Sequence, residues 1–489
     1  MAVLCLVVLP PTFVSCNTWR HTMASHNVDR PVLALSRHAA GREHLNASLG
    51  NAWRLIRTLT ALDCRQLILG EAPPIALGGC GRIVKSSSYL RAALSVLAIG
   101  SLFFLVSRPF FYHDSTLTAF AVAYSSLFFI FLRARFSYLG LAGIVLLTFL
   151  FAVLNFRILG YPATWEVALT LLSVASFSIL LHRGIWSDGD ERRLALYTVL
   201  PSSLFLMSDW AAAFFLNLTE KAHPSVLDLY LYSFDASLRI QFPFVLGQLF
   251  AQHRAFALVS TWVYMTLPIA IALVYVGCLV QRRGNALPAF LALFLTGPIG
   301  IVLYNLFPAV GPVHVFDTRF PFHPLSIDQV RRLFLEPIAI PGLRNTMPSL
   351  HAAWIYLVFW YARSLSRVEK IVAGVLVFFT LCATLGIGEH YIIDLVVAVP
   401  FTVSILALVN LIVSRGRSVF LLPLSVGLLS TLAWFAALRF APGFFWISPV
   451  IPWLACLLTL LLSSYCLHGL LYPSAVVLPA PAQAPEISA

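Results

Sequence analysis

Long apolar segments separated by short polar ones dominate this chain from residue 86 onward. A membrane-spanning helix needs roughly 17–25 predominantly apolar residues, and about twelve segments approach that length. These segments are residues 91–107, 116–132, 138–156, 164–181, 194–216, 254–280, 287–308, 350–364, 371–388, 392–413, 419–437 and 446–467. The pattern predicts an all-α fold, a polytopic membrane helical bundle with about 12 transmembrane helices.

Two stretches depart from this pattern. Residues 224–253 interleave acidic and aromatic side chains, most clearly over Leu227–Asp235, which is typical of an interfacial helix on the outer surface. Residues 309–349 form a loop that is rich in proline and therefore stiff. A loop this long inside a compact domain is usually functional.

The distribution of polar and apolar residues divides the chain into five parts. We predict a cytoplasmic arm over residues 1–85 and the N-terminal transmembrane helices over residues 86–220. Residues 221–413 are predicted to form a core that holds the polar motifs. Residues 414–472 predict the C-terminal transmembrane helices, and the Ala/Pro-rich residues 473–489 predict a disordered tail.

Charge patterning sets the expected orientation. Only 11% of the 489 residues are charged, but the basic ones predominate and give a net charge of +12. Such an excess can indicate nucleic-acid binding, yet here the basic residues collect in alternate short loops, such as 282–283, 363–370 and 415–417. Loops of that kind stay in the cytoplasm. We therefore expect a multi-pass integral membrane protein with both termini cytoplasmic, the bilayer as a partner, and no nucleic-acid partner.

Two polar motifs lie where apolar segments meet loops, over Asn345–His351 and Gly388–Asp394. Ionisable groups at such places are costly and therefore indicate function. The segment that begins at His351 runs inward, the basic loop 363–370 turns the chain, and the next segment returns it. His351 and His390 are thus expected on the same, extracytoplasmic face.

The residue types in these motifs suit phosphoryl transfer. His390 and Asp394 are four apart and share a helix face, so the carboxylate can orient one imidazole nitrogen while the other attacks phosphorus. His351 is the candidate general acid for the leaving oxygen. The candidate substrate-binding residues, which would contact the phosphate oxygens, are Arg344, Ser349 and Arg319.

Each of these residues also has an ordinary structural interpretation. A single boundary histidine is more often an interfacial polar residue than a catalyst, and a histidine and an aspartate four apart are often only a helix contact. The two arginines could simply contact lipid headgroups. No cluster of carboxylates supports a metal site.

The motifs resemble those of the type-2 phosphatidic acid phosphatase superfamily over roughly residues 225–413. Pro348-Ser349-Leu350-His351 is similar to that family's Pro-Ser-Gly-His motif, and His390 and Asp394 match the spacing of its third motif. The Pro-Ser-Leu-His variant looks most like the inositol phosphorylceramide synthase branch. The resemblance implies a six-helix core, His390 as the nucleophile that forms a phosphohistidine, Asp394 as its orienter and His351 as the acid. It also implies neither metal nor cofactor.

The sequence departs from that family's pattern at two places. The arginine of the third motif would fall at Thr384, with Ala383 in place of its serine, and no Lys-x6-Arg-Pro first motif is evident near 304–325. Phosphate binding would then depend on other cations, such as Arg319 or Arg344. This weakens the case for ordinary lipid phosphatase activity more than the case for phosphoryl chemistry.

Together these features predict an enzyme that moves a phosphate or phospho-headgroup between a membrane lipid and either water or an alcohol acceptor, such as the polyol inositol. Two other classes stay open. A transporter or flippase would use polar groups inside the membrane, such as Asp209. A lipid-linked glycosyltransferase would want an acidic pair in an outer loop, for which His113-Asp114 is the candidate.

Overall fold

The computed structural model describes residues 138–158, 165–189, 214–281, 286–414 and 418–471, together with a few positions between 192 and 212. The helices in chain order are α1 (Tyr138–Ile158), α2 (Trp165–Trp186), α3 (Asp228–Ser237), α4 (Phe242–Gln252), α5 (Arg254–Met265), α6 (Leu267–Gln281), α7 (Leu287–Leu306), α8 (Pro312–Phe316), α9 (Ile327–Arg331), α10 (Leu350–Ala362), α11 (Arg367–Gly386), α12 (Ile392–Val413), α13 (Leu421–Phe440) and α14 (Val450–Leu471). Strands β1 (Ser225–Val226) and β2 (Ile338–Ala339) pair antiparallel.

Five of the described helices, α7, α11, α12, α13 and α14, are long and apolar enough to cross a membrane. Together, α5 and the first part of α6 would make a sixth span, bent by 51° at Thr266. The chain is therefore a helical membrane protein, but the predicted count of about twelve spans is not confirmed. The predicted spans 91–107 and 116–132 lie outside the described residues, as do the predicted arm 1–85 and tail 473–489.

The span predicted over 350–364 is shorter in the structure, because α10 has only 13 residues. A helix of that length rises about 20 Å, which is less than the roughly 30 Å hydrocarbon core. Ser349 caps its first turn by accepting a hydrogen bond from the Ala352 amide. The next helix, α11, begins at a capping box in which Ser366 and Glu369 each satisfy the other's backbone N–H.

Helix α12 is the centre of the described bundle. Within the described residues, 78% of its apolar window is buried by other parts of the protein, against 22–50% for the other four full spans. It packs against α7, α10, α13 and α14. Neighbouring elements can hold the N-terminus of such a surrounded span rigidly. Asp394 lies in the first turn of α12.

The prediction of one interfacial helix over 224–253 is wrong for its first half. The chain breaks at residues 238–241 into α3 and α4, and α3 is mostly buried, including both of its aspartates. Asp228 and Asp235 are seven residues apart and share one helix face. The alternation of acids and aromatics thus reflects a helix covered on several sides, with its carboxylates bound to backbone amides.

Candidate active site

The site lies where the starts of α10 and α12 meet. The Ser349 amide donates a hydrogen bond to the Asp394 carbonyl at 3.3 Å, which joins the two helix starts directly. The Ser349 hydroxyl lies 3.3 Å from Nε2 of His390. The two motifs, separated by some forty residues of chain, therefore come together at one end of the bundle, as their predicted shared face requires.

His390 is held just before α12 by a tight backbone turn. Gly388 has φ of +81°, a left-handed conformation that favours glycine. The Nδ1 atom of His390 lies 3.5 Å from Oδ2 of Asp394, and Nε2 faces Ser349 on the other side of the ring. The Asp394 Oδ2 atom also accepts a 2.7 Å hydrogen bond from the Tyr391 amide. Burial lowers the pKa of His390 to about 3, so the imidazole is neutral at pH 7.

His351 occupies the first turn of α10, two residues after Ser349. The Tyr264 ring stacks on its imidazole with a centroid distance of 3.9 Å, and the Tyr264 hydroxyl lies 3.0 Å from Nδ1. The edge of Trp354 contacts the imidazole from one turn further along the helix. These contacts confine the ring of the predicted acid and place a phenol oxygen beside one of its nitrogens.

The two aspartates of α3 hold the segment that carries His390. Asp228 accepts hydrogen bonds from the Val310 and Gly311 amides and from the Tyr391 hydroxyl. Asp235 accepts one from the Ile392 amide at 3.0 Å. Burial raises the pKa of Asp228 to about 6, although the hydrogen bonds that it accepts oppose the shift. Neither aspartate was a predicted site residue. Their spacing of seven residues, which places them on one helix face, was the sequence signal that could have identified them.

Replacing Asp235 by alanine should destabilise the protein, because the half-buried Ile392 amide at the start of α12 would lose its acceptor. We expect a cost of about 1–3 kcal/mol, seen as a lower midpoint in thermal unfolding of the purified protein. Asp235→Asn should cost less, since its amide oxygen can still accept. Asp328 is exposed on α9, so Asp328→Ala is the matched control; an equal loss in both alanine variants would contradict the bracing role.

Of the two arginines predicted to bind phosphate, one is buried against backbone carbonyls and the other is on the surface. Arg344 is 1% exposed, and its guanidinium donates to the carbonyls of His223, Pro224 and Gly342. The Glu220 carboxylate lies 3.9 Å from the same group. These bonds tie the loop before α10 to the start of β1. Arg319 is exposed in a 3-10 turn after α8. Their role in substrate binding stays a prediction, and the contacts of Arg344 favour a structural role.

The departures from the family motifs have a structural explanation in the described residues. Leu350, which replaces the usual glycine, packs against Gly300 of α7, where any β-carbon would overlap with it. Thr384, at the position expected for arginine, is buried and donates its hydroxyl to the Thr380 carbonyl. The extra volume at 350 is thus offset by a glycine on the facing helix, whereas the missing charge at 384 is not replaced at that position.

Several polar groups that were not predicted site residues also border the site. The Tyr304 hydroxyl interacts with the Leu350 amide at the start of α10. The Thr346 hydroxyl is buried with no hydrogen-bond partner among the described residues. Glu389 precedes His390, lies 3.9 Å from His314, and has its pKa raised by burial to about 7. Tyrosines within apolar helices carry no pattern that marks them as functional before the helices are packed.

Two further findings bear on the other predictions. Among the described residues, no group of three or more His, Cys, Asp or Glu side chains is arranged to hold a metal ion. The polar groups that would serve a transporter or a glycosyltransferase, Asp209 and His113-Asp114, lie outside the described residues.

Comparison with known families identifies one match. The family model described as the PAP2 superfamily matches residues 229–408, which is less than half of the chain. That range contains Ser349, His351, His390 and Asp394, so the resemblance to the superfamily is confirmed over this part of the chain. The inositol phosphorylceramide synthase-like branch stays a prediction. No curated protein and no solved structure matches.

Proposed function

We propose that this chain is a metal-independent lipid phosphotransferase or phosphatase that acts through a phosphohistidine. The observation that carries the proposal is the placement of His390, whose Nδ1 faces Asp394 while Nε2 faces Ser349 at the start of α10. A nucleophile needs one free nitrogen and an orienting carboxylate on the other. The match to the PAP2 superfamily supports phosphoryl chemistry.

In the first half-reaction, the lone pair of His390 Nε2 forms a bond to phosphorus. The bond from phosphorus to the lipid oxygen breaks, and that oxygen takes its electron pair and a proton from His351, which becomes protonated when the anionic phosphate binds beside it. The imidazole then bears a positive charge, which Asp394 stabilises from the Nδ1 side. The 3.5 Å separation between Nδ1 and Asp394 can shorten when substrate binds, as catalytic hydrogen bonds often do.

In the second half-reaction, an acceptor oxygen attacks the phosphohistidine and gives its proton to His351. The bond from Nε2 to phosphorus breaks, and its electron pair returns to the imidazole. Water as acceptor makes the enzyme a phosphatase, and an alcohol makes it a transferase. The Pro348–His351 variant of the second motif favours transfer, with a polyol such as inositol as the acceptor class.

The proposed site faces the extracytoplasmic side. Support comes from the opposite ends of the same helices, where the Tyr361 hydroxyl bonds the Pro288 carbonyl and Leu365 packs against Gly277. The basic loop 363–370 lies at these ends, and the basic residues 282–283 follow the last residue of α6 in the sequence. Short basic loops stay in the cytoplasm, which leaves His390 at the outer end and is consistent with cytoplasmic termini.

The test is product analysis with purified protein and a lipid labelled at phosphorus. We expect label to appear on a histidine that is acid-labile and base-stable, and to pass to water or to an added polyol. A chelator should leave the rate unchanged. Release of label without any labelled protein, or label on a residue other than His390, would rule out the mechanism.

A further inference from the structure

Glu389 differs from the other carboxyl groups at this end of the bundle, because its side chain accepts no hydrogen bond from the described residues. Asp228, Asp235 and Asp394 each accept one or more hydrogen bonds from backbone amides. The ionic contact of Glu389 is with His314, whose Nε2 lies 3.9 Å from Oε2 of the glutamate. That distance is too long for a hydrogen bond. The three aspartates thus stabilise the backbone, whereas the oxygens of Glu389 can still accept.

Glu389 and His314 line a crevice that is open to solvent. Burial raises the pKa of Glu389 to about 7 and lowers the pKa of His314. Their side chains nevertheless stay 28% and 32% exposed. Exposing two titratable groups to lipid would be costly, which favours water at the exposed part of the crevice.

Close backbone contacts fix the two sides of this crevice against each other. Gly311, with φ of +94°, lies so near the Glu389 carbonyl that a β-carbon would overlap it. The Val313 amide donates a 2.9 Å hydrogen bond to the Gly388 carbonyl. Helix α8, which carries His314, is therefore joined to the turn before α12. A backbone held in this way can keep a ligand at a defined distance from the nucleophile.

The crevice lies on the side of the site where the proposed proton transfer takes place. The charge of Glu389 interacts with the Tyr264 phenol, and the oxygen of that phenol lies 3.0 Å from Nδ1 of His351. In the proposed second half-reaction, His351 takes the proton of the incoming oxygen. An acceptor whose oxygen approaches His351 can therefore extend toward Glu389.

The two side chains of the crevice suit hydroxyl groups better than they suit ions. A neutral imidazole offers one donor and one acceptor, and an ionised carboxylate accepts from more than one hydroxyl. Because a hydroxyl group both donates and accepts, neighbouring hydroxyls on one molecule can satisfy both side chains. An ammonium group only donates, and a carboxyl group with a pKa of about 7 is half protonated at neutral pH. It is then a weak counter-charge for a cation.

We propose that Glu389 and His314 form the binding site for a water-soluble polyol that accepts the phospho group from His390. The inference rests on the proposed function and adds the acceptor's binding residues and the aqueous side from which it enters. One hydroxyl of the polyol attacks phosphorus and gives its proton to His351. The bond from Nε2 of His390 to phosphorus breaks, and its electron pair returns to the imidazole. A neighbouring hydroxyl donates a hydrogen bond to Glu389, which favours transfer over hydrolysis.

The experiment measures how the phosphohistidine divides between an alcohol and water. The full-length protein receives the phosphorus-labelled lipid together with inositol, 1-propanol or ethanolamine at equal concentrations. The readout is the ratio of labelled transfer product to labelled hydrolysis product. Both products come from one intermediate, so this ratio does not depend on the rate of the first half-reaction. For the wild type we expect the inositol ratio to exceed the other two by about tenfold.

Variants of the two crevice residues test the assignment. Glu389→Ala should lower the inositol ratio by about tenfold, because the hydroxyl loses its acceptor, and should change the 1-propanol ratio by less than about twofold. Glu389→Gln keeps one acceptor oxygen and should have a smaller effect; it replaces the alanine variant if that variant does not fold. His314→Ala should lower the inositol ratio by about threefold. The matched control is Glu336→Ala, which removes an exposed glutamate of the same outer loop and should leave every ratio unchanged.

The outcomes separate the acceptor site from the proposed function. An inositol ratio that stays the same in Glu389→Ala and His314→Ala would overturn the acceptor site. An equal fall with inositol and 1-propanol would also overturn it, since Glu389 would then act in proton transfer. A Glu389-dependent preference for ethanolamine would show that the crevice binds a cation and would overturn the polyol class. Hydrolysis that depends on His390, without transfer to any alcohol, would overturn the acceptor site and leave the proposed function intact. No release of label that depends on His390 would overturn the proposed function, and the acceptor site with it.

Discussion

Replacing His390 by alanine should lower the rate of lipid turnover by a factor on the order of 10⁴ or more, because the nucleophile is lost. The residue is 2% exposed, and its two nitrogens face Asp394 and Ser349. The measurement is turnover of labelled lipid by purified protein, together with the loss of labelled phosphohistidine.

Asp394→Asn should keep the protein folded but lose much of the rate, since the orienting carboxylate is gone.

The matched control for this prediction is His323→Ala. His323 lies in the loop between α8 and α9 and is exposed, and its removal should leave turnover within about twofold of wild type, as surface substitutions away from a site usually do. Residual lipid turnover in His390→Ala that matches wild type would contradict the nucleophile assignment. A parallel loss in His323→Ala would point to general damage to the protein instead.

The sequence allowed the helical membrane class and the placement of the two motifs to be predicted because both depend on local patterns. Apolar length predicted α7, α12 and α14 to within a few residues. The sharp bend between α5 and α6 was missed, although Pro268, two residues after Thr266, gives a signal for a break inside this apolar segment. Loop charges alone brought His351 and His390 to one face.

The parts of the site that could not be predicted depend on tertiary packing. Arg344 has the residue type and position of a phosphate ligand, but the pairing of β1 with the distant β2 brings backbone carbonyls to it. Asp228 and Asp235 looked interfacial because they alternate with aromatic residues, and only the packed bundle shows which amides they meet. Charge and spacing identify candidate residues. Whether a candidate's hydrogen-bonding groups are already paired depends on elements that are distant in the sequence.

Replacing His351 by alanine should have the second-largest effect, and its size should depend on the leaving group. A departing lipid alkoxide needs a proton, so we expect the loss of a general acid to lower the rate by roughly 10²–10⁴. An aryl phosphodiester releases a stable phenolate and needs little protonation. The initial burst of phenol, which reports only the first half-reaction, should therefore fall by less than about tenfold in His351→Ala.

The comparison with His390→Ala makes this test specific to proton transfer. Loss of the nucleophile must abolish the burst with both lipid and aryl substrates, because neither can form the phosphohistidine. Loss of His351 should spare the aryl burst and slow the later steady state, since the same imidazole accepts the proton of the incoming oxygen. Equal losses with both leaving groups would mean that His351 only binds phosphate, and the stacking of Tyr264 on its ring would then serve substrate binding rather than acid catalysis.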